Sequence, residues 1–208
     1  MNTKKIAVIG QGYVGLPLAI EFGKKYTFRQ LMMSGVSALS SVEVNMDDFA
    51  YSVLDTNFVS AAYFDFGITT GIEGNIASYK SLIDSGFITN ISANNSKLTG
   101  SLSSLNACTT IKIVRIQGTE VTYSLADAAN FGSKSVVEEL IAQSNTNVVG
   151  NIANLVNFPN IKFLYLNGTG CTCANGLKAF LDGIASTRTV DATLTLRLPD
   201  DWQGNDAG

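Results

Sequence analysis

From Phe64 onward, apolar and polar residues alternate in short runs, and the runs recur. Each run reads apolar-x-apolar, two residues, a small polar residue, then an apolar residue and a glycine or aromatic. The pattern appears as Ile91-x-Ala93…Ser96-x-Leu98-x-Gly100-x-Leu102, as Val114-x-Ile116…Thr119-x-Val121-x-Tyr123-x-Leu125, and as Leu164-x-Leu166…Thr169-x-Cys171-x-Cys173. Two looser copies carry one extra residue: Leu140-x-Ala142 leads to Val148, Gly150 and Ile152, and Phe64-x-Phe66 leads to Ile72, Gly74 and Ile76. Leu194-x-Leu196-x-Leu198 reads as a closing strand. Strand starts are therefore expected at 64, 91, 114, 140, 164 and 194, at steps of 27, 23, 26, 24 and 30 residues. Alternation with period two predicts short strands with Val114, Ile116 and their equivalents facing a core. The intervening segments IASYKSLIDSG, SLADAANFGSKSVVEEL, NIANLVNFPN and GLKAFLDGIAS vary in length. They are expected to return on the opposite side as helix or irregular turns.

A longer period overlies this one. LTGSLSSLNACTTIKIVRIQGTEVTY begins at Leu98, and VVGNIANLVNFPNIKFLYLNGTGCTC begins fifty residues later at Val148. Without a gap they superpose Gly100/Gly150, Leu105/Leu155, Ile111/Ile161, Lys112/Lys162, Gly118/Gly168, Thr119/Thr169 and Thr122/Thr172. A fixed period of this kind predicts a stacked solenoid rather than a single globular core. The unit resembles the leucine-rich repeat, L-x-x-L-x-L-x-x-N-x-L-x-G-x-L, whose length is roughly 20–29 residues. The resemblance covers about residues 60–198 and implies an α/β solenoid with a parallel sheet of about six short strands. Gly74, Gly100 and Gly150 are expected at a turn that a side chain would obstruct. At the Asn position of the family this chain has Ser96, Thr119 or Thr169, and a hydroxyl replaces the amide only in part.

Composition narrows the function classes. Of 208 residues, 46% are apolar and 15% charged, and the net charge is −3. The basic residues are scattered, which argues against a nucleic-acid partner, and no apolar run has membrane-spanning length. Cys108, Cys171 and Cys173 read as buried thiols used as small hydrophobes. A C-x-C pair lacks further Cys or His ligands, and the chain has no histidine, so no metal site is expected. The missing histidine also removes most general-base and triad mechanisms. No catalytic residue and no cofactor are expected of the repeat region.

The first 26 residues differ in character. KKIAVIGQGYVGLPLAIEFGKKY holds a short apolar strand, Gly10-x-Gly12-x-x-Gly15, and a helix-compatible stretch to about Lys25. That is the dinucleotide-binding fingerprint in a strand–turn–helix setting. GQGYVGLPLA followed by EFGKKY resembles the N-terminus of bacterial nucleotide-sugar dehydrogenases, which oxidise UDP- or GDP-sugars with NAD. The resemblance implies cofactor contacts at Gly10, Gly12 and Gly15. The acidic residue expected about 20 residues on is not in place, since Glu43 and Asp47 lie farther along, and no cysteine stands in the family's G-x-C-[LIF]-P setting. Residues 1–26 are therefore expected to be a βα cap on the solenoid, or a fused remnant. Residues 27–60 read as a connection or incomplete repeat, 61–199 as the solenoid, and 200–208 as a flexible tail. Lys4 and Lys5 precede an apolar stretch, but it is interrupted by glycines and lacks an A-x-A site. It makes no convincing signal peptide, and the default location is cytoplasmic or assembly-associated.

In such a solenoid the outward residues of successive strands form columns on a concave face. One is expected to hold Ser92, Arg115, Ile141, Tyr165 and Thr195, and a second Asn90, Ile113, Glu139, Phe163 and Thr193. A third, uniformly polar, holds Asn94, Gln117, Gln143, Asn167 and Arg197. Ile113, Arg115, Ile141, Phe163 and Tyr165 are the candidate binding residues, because aromatic and arginine side chains flanked by amides suit a hot spot. Tyr, Phe, Ile and Thr are also ordinary strand formers, so the alternation alone accounts for them equally well. The expected function is a non-catalytic module recognising a protein or polysaccharide. The competing expectations are an NAD-binding dehydrogenase fragment and a structural spacer in a phage or cell-surface assembly.

Overall fold

The computed structural model describes residues 72–84, 86, 89–188 and 193–202, with the strand segments 31–32, 44–45 and 64–65. Two kinds of short strand alternate along the chain, and each pairs in parallel with its own kind one turn away. The first kind is β5 (Asn90–Ser92), β7 (Ile113–Arg115), β9 (Glu139–Ile141), β11 (Phe163–Tyr165) and β13 (Thr195–Arg197), which form one five-stranded sheet. The second kind forms two three-stranded ladders. They are β2 (Val44–Asn45), β4 (Ile72–Asn75) and β6 (Lys97–Thr99), then β8 (Tyr123–Ser124), β10 (Val148–Asn151) and β12 (Gly170–Thr172). A Ser101–Thr122 bridge joins the two ladders. The single sheet of about six strands is thus five-stranded among the described residues. β3 (Phe64–Asp65) lies against β5 but pairs with β1 (Leu31–Met32) in a ladder of its own.

Inside the coil, alternation places the expected residues. Ile91, Val114, Leu140 and Leu164 are buried, as are Ala93, Ile116, Ala142 and Leu166 after them. After β4, β6, β8 and β10 comes a short 3-10 helix, at Ile76–Ser78, Leu102–Leu105, Leu125–Asn130 and Ile152–Asn157. Asn75, Ser101, Ser124 and Asn151 start these helices by accepting the N–H of Ala77, Ser103, Ala126 and Ala153 at 2.9, 3.2, 3.3 and 2.9 Å, which satisfies a donor the helix leaves open. Two α-helices complete the layer: α1 (Tyr79–Asp84) and α2 (Leu177–Thr187). Gly100 has φ +90°, and a methyl group there would overlap the Asn75 side chain, so the close stacking of coils demands glycine at this turn. Phe131 and Phe158 stack at 6.1 Å, and Cys108, Cys171 and Cys173 are buried thiols.

A turn follows each of β5, β7, β9 and β11, and its second residue takes a left-handed conformation: Asn95, Gly118, Ser144 and Gly168 have φ of 56°, 61°, 60° and 68°. Their N–H groups point to the next coil. Asn95, Gly118 and Ser144 donate to the carbonyls of Gln117, Gln143 and Asn167 at 2.7, 3.2 and 3.0 Å. For Gly168 the acceptor is a side chain instead, Asp200 Oδ1 at 3.1 Å. The second ladder ends in the same way, with the Asp201 carboxylate accepting Cys173 N–H at 2.9 and 3.1 Å. The flexible tail expected from residue 200 is therefore anchored at its first two residues, where carboxylates replace the carbonyls of a further coil. Trp202 is 50% exposed. Residues 203–208 lie outside the described residues.

Two further expectations are corrected. Leu196, not Leu194, pairs with Leu164, so Arg197 stands beside Tyr165 and Thr195 beside Phe163. A slip of two residues keeps every side chain on its own face, and three leucines in a row of alternate positions do not distinguish the two registers. The second correction concerns the Asn position of the repeat. Ser96, Thr119 and Thr169 donate to the carbonyls of Ala93, Ile116 and Leu166, three residues back in their own turns. The coil between them has an asparagine there, Asn145, which the extra residue before Val148 conceals in the sequence.

Candidate functional site

The open side of the five-stranded sheet carries the candidate residues in adjacent strands, in the register Asn90–Ile113–Glu139–Phe163–Thr195 and Ser92–Arg115–Ile141–Tyr165–Arg197. Its two ends differ. On β5, Asn90 and Ser92 are buried, Ser92 completely. From β7 onward the surface opens, with Ile113, Arg115 and Tyr165 half-buried and Phe163 37% exposed. Ile141 is only 9% exposed and forms the floor between Arg115 and Tyr165 rather than a contact of its own.

The charged groups and rings of this surface are held by one another. Arg115 donates from Nε and Nη2 to Glu139 Oε2, at 2.9 and 2.7 Å. Lys162 pairs with Glu138 at 2.6 Å. The Phe163 and Tyr165 rings meet edge to face at 6.4 Å and 90°. The Arg197 guanidinium lies 4.3 Å from the centre of the Tyr165 ring, and its Nη1 donates to Gln143 Oε1 at 2.9 Å. Neither Arg197 as a neighbour of Tyr165 nor Glu139 as the partner of Arg115 was singled out by sequence. The first depended on the register of β13. The second was visible in principle, because Glu139 is one strand over from Arg115 and one column away.

Elsewhere the chemistry is quiet. Burial, with Asp84 nearby, pushes the Cys108 thiol up to about 11, and burial raises Cys171 also, so neither is a thiolate nucleophile near neutral pH. Among the described residues no group of three or more His, Cys, Asp and Glu could hold a metal ion, and no helix is long and apolar enough to cross a membrane. Gly10, Gly12 and Gly15 lie outside the described residues.

With this geometry in view, the likeness to known proteins can be stated. No family model matches the chain. An internalin from Listeria monocytogenes superposes with a TM-score of 0.50 at 15% identity, over 86% of this chain and 45% of that one. The fold is leucine-rich-repeat-like. A plant peptide hormone receptor, solved in complex with a peptide, aligns over 67% of this chain and 32% of its own at 14% identity, with a TM-score of 0.32 that carries no weight. The UDP-N-acetyl-D-glucosamine 6-dehydrogenase of Pseudomonas aeruginosa is 70% identical over 27 residues, 13% of this chain and 6% of that enzyme. The chain thus spans less than half of the internalin and a small fraction of the dehydrogenase, whose match lends weak support to the resemblance of residues 1–26.

Proposed function

We propose that the chain is a non-catalytic interaction module, a solenoid that holds a partner protein on the open side of its five-stranded sheet through Ile113, Arg115, Phe163, Tyr165 and Arg197, over the floor made by Ile141. The observation that carries this is the edge-to-face pair of the exposed Phe163 and half-buried Tyr165 on β11, a strand paired in parallel on both sides. Aromatic rings held by a rigid scaffold lose little conformational entropy on binding, which is why they dominate interface energetics. The leucine-rich-repeat-like fold supports the reading, since stacked repeats present extended concave surfaces. A photo-crosslinking residue placed at Tyr165 is expected to capture a protein that the same residue at Asn157, on the opposite side, does not. Equal capture at both positions would remove the concave face from the function. Crosslinked material that resists protease and yields to glycosidase would replace the protein with a polysaccharide.

A second reading rests on the 27-residue dehydrogenase match: that the opening segment binds NAD through Gly10, Gly12 and Gly15. Titration with NAD+ and NADH, following nicotinamide fluorescence and thermal stability, tests it. A saturable shift lost in Gly12→Val supports it, and no response at millimolar cofactor rejects it.

A further inference from the structure

The charges on the open sheet are not balanced evenly. Arg115 is matched by Glu139 and Lys162 by Glu138. Arg197 has no carboxylate within ion-pair distance among the described residues; its contacts are the Tyr165 ring and the neutral Gln143 amide. The nearby Asp200 is directed to Gly168 N–H instead. A guanidinium has five N–H donors in a planar fork, and Gln143 occupies one nitrogen of this one. Stacking on Tyr165 and bonding to Gln143 hold that fork in place, so little side-chain freedom remains to be lost on binding.

We propose that Phe163, Tyr165 and Arg197 seat an acidic peptide segment of the partner protein. A side-chain carboxylate takes the free edge of the Arg197 guanidinium, and an apolar neighbour of that acid lies on Phe163. This assignment rests on the concave-face reading above and adds the chemistry of the partner. Charge complementarity decides for an acid: although the chain is net −3, the cation at this end of the sheet is the one left without a counter-charge. Geometry favours a peptide over a sugar. A pyranose ring stacks on an exposed aromatic face, whereas Arg197 covers one face of Tyr165, and Phe163 meets Tyr165 at 90° and offers no coplanar platform.

The test is a random-peptide display selection on the purified full-length chain, with enriched peptides then synthesised and measured against variants. The expected peptides carry an Asp or Glu beside an apolar residue and lose affinity in Tyr165→Ala. Arg197→Gln is expected to weaken them about tenfold, as suits one charge-assisted contact, and replacing the acid by its amide is expected to weaken them equally. Arg197→Lys keeps part of the affinity, and circular dichroism verifies that each variant folds. Peptides that need Tyr165 but show no acidic residue and ignore Arg197→Gln would overturn this assignment while leaving the concave face in place. Peptides indifferent to both Tyr165 and Arg197 would overturn the concave-face reading as well. Displacement of the peptides by polygalacturonate at lower concentration than by polyglutamate would transfer the site to an acidic glycan.

Discussion

Asn145 donates its side-chain amide to Thr119 Oγ1 at 3.2 Å, and so ties one coil of the chain to the coil before it. The same nitrogen lies 3.3 Å from Ile116 O and 2.9 Å from Val121 O. Two N–H bonds are therefore shared among three acceptors, and the side chain is only 1% exposed. Its Oδ1 accepts Asn147 N–H at 3.1 Å and closes its own turn. The hydroxyls of Ser96 and Thr169 perform only this second task, each bonding within its own turn, whereas the Thr119 hydroxyl does so and also accepts the Asn145 amide.

Asn145→Ala should accordingly be among the more costly polar substitutions in the chain. Losing the shared bonds takes the amide donor from Val121 O and leaves Ile116 O with the Thr119 hydroxyl alone, at a cost of roughly 2–3 kcal/mol. Thr169→Val removes two bonds, both within its own partly exposed turn, and should cost about 1–2 kcal/mol. Urea denaturation of the two variants checks the order, and a smaller loss for Asn145→Ala than for Thr169→Val would contradict the inter-coil role.

The Asp201 carboxylate should act locally. In Asp201→Ala, Cys173 N–H loses a charged acceptor, and its hydrogen exchange is expected to quicken about tenfold or more. Amides on β7 should be little changed, because stacked coils couple mainly to their neighbours. Uniform acceleration along the chain would mean that the array melts as one unit.

Gly100→Ala and Gly86→Ala separate backbone conformation from space. Both residues have positive φ, at +90° and +74°, but only Gly100 faces a neighbour, the Asn75 side chain. Gly86→Ala should cost about 1–2 kcal/mol from the left-handed conformation alone. Gly100→Ala should cost distinctly more, and thermal melts of both proteins give the comparison.

Stability should fall on the alkaline side. Burial holds Cys108 protonated up to about 11, against an ordinary value of 9.0, and raises Cys171 and Tyr123 as well. Between these values the unfolded chain has released protons that the folded chain retains, so rising pH favours unfolding. The contribution of Cys108 is complete below pH 9 and lost as pH climbs to about 11. The urea midpoint should drop between pH 8 and 10.5, and Cys108→Ala should flatten that slope. A midpoint that rises over this interval would contradict burial of these groups.

The inward residues were readable because each strand position repeats many times over, and Val114, Ile116, Leu164 and Leu166 are all buried as alternation requires. What escaped was information that alternation does not contain. The two-residue slip at Leu194–Leu198 left the apolar pattern unchanged while moving Arg197 onto Tyr165. Asn145 was hidden because its coil has one residue more before Val148. The five candidate surface residues do share one sheet, yet Ile141 is its floor. The ion pair that neutralises Arg115 came from a column with no other charge in it, a relationship set by side-chain reach and not by spacing.

Asp200 and Asp201 have a consequence for how such an array changes length. Their carboxylates occupy the places where the backbone of one more coil would bond, so new sequence spliced directly after Leu198 must first displace two well-placed anions. An in-frame copy of the fifty-residue period from Leu98 meets no such obstacle, because each inserted coil finds an ordinary neighbour on both sides. Growth of the array is therefore easy from within and resisted at its tail.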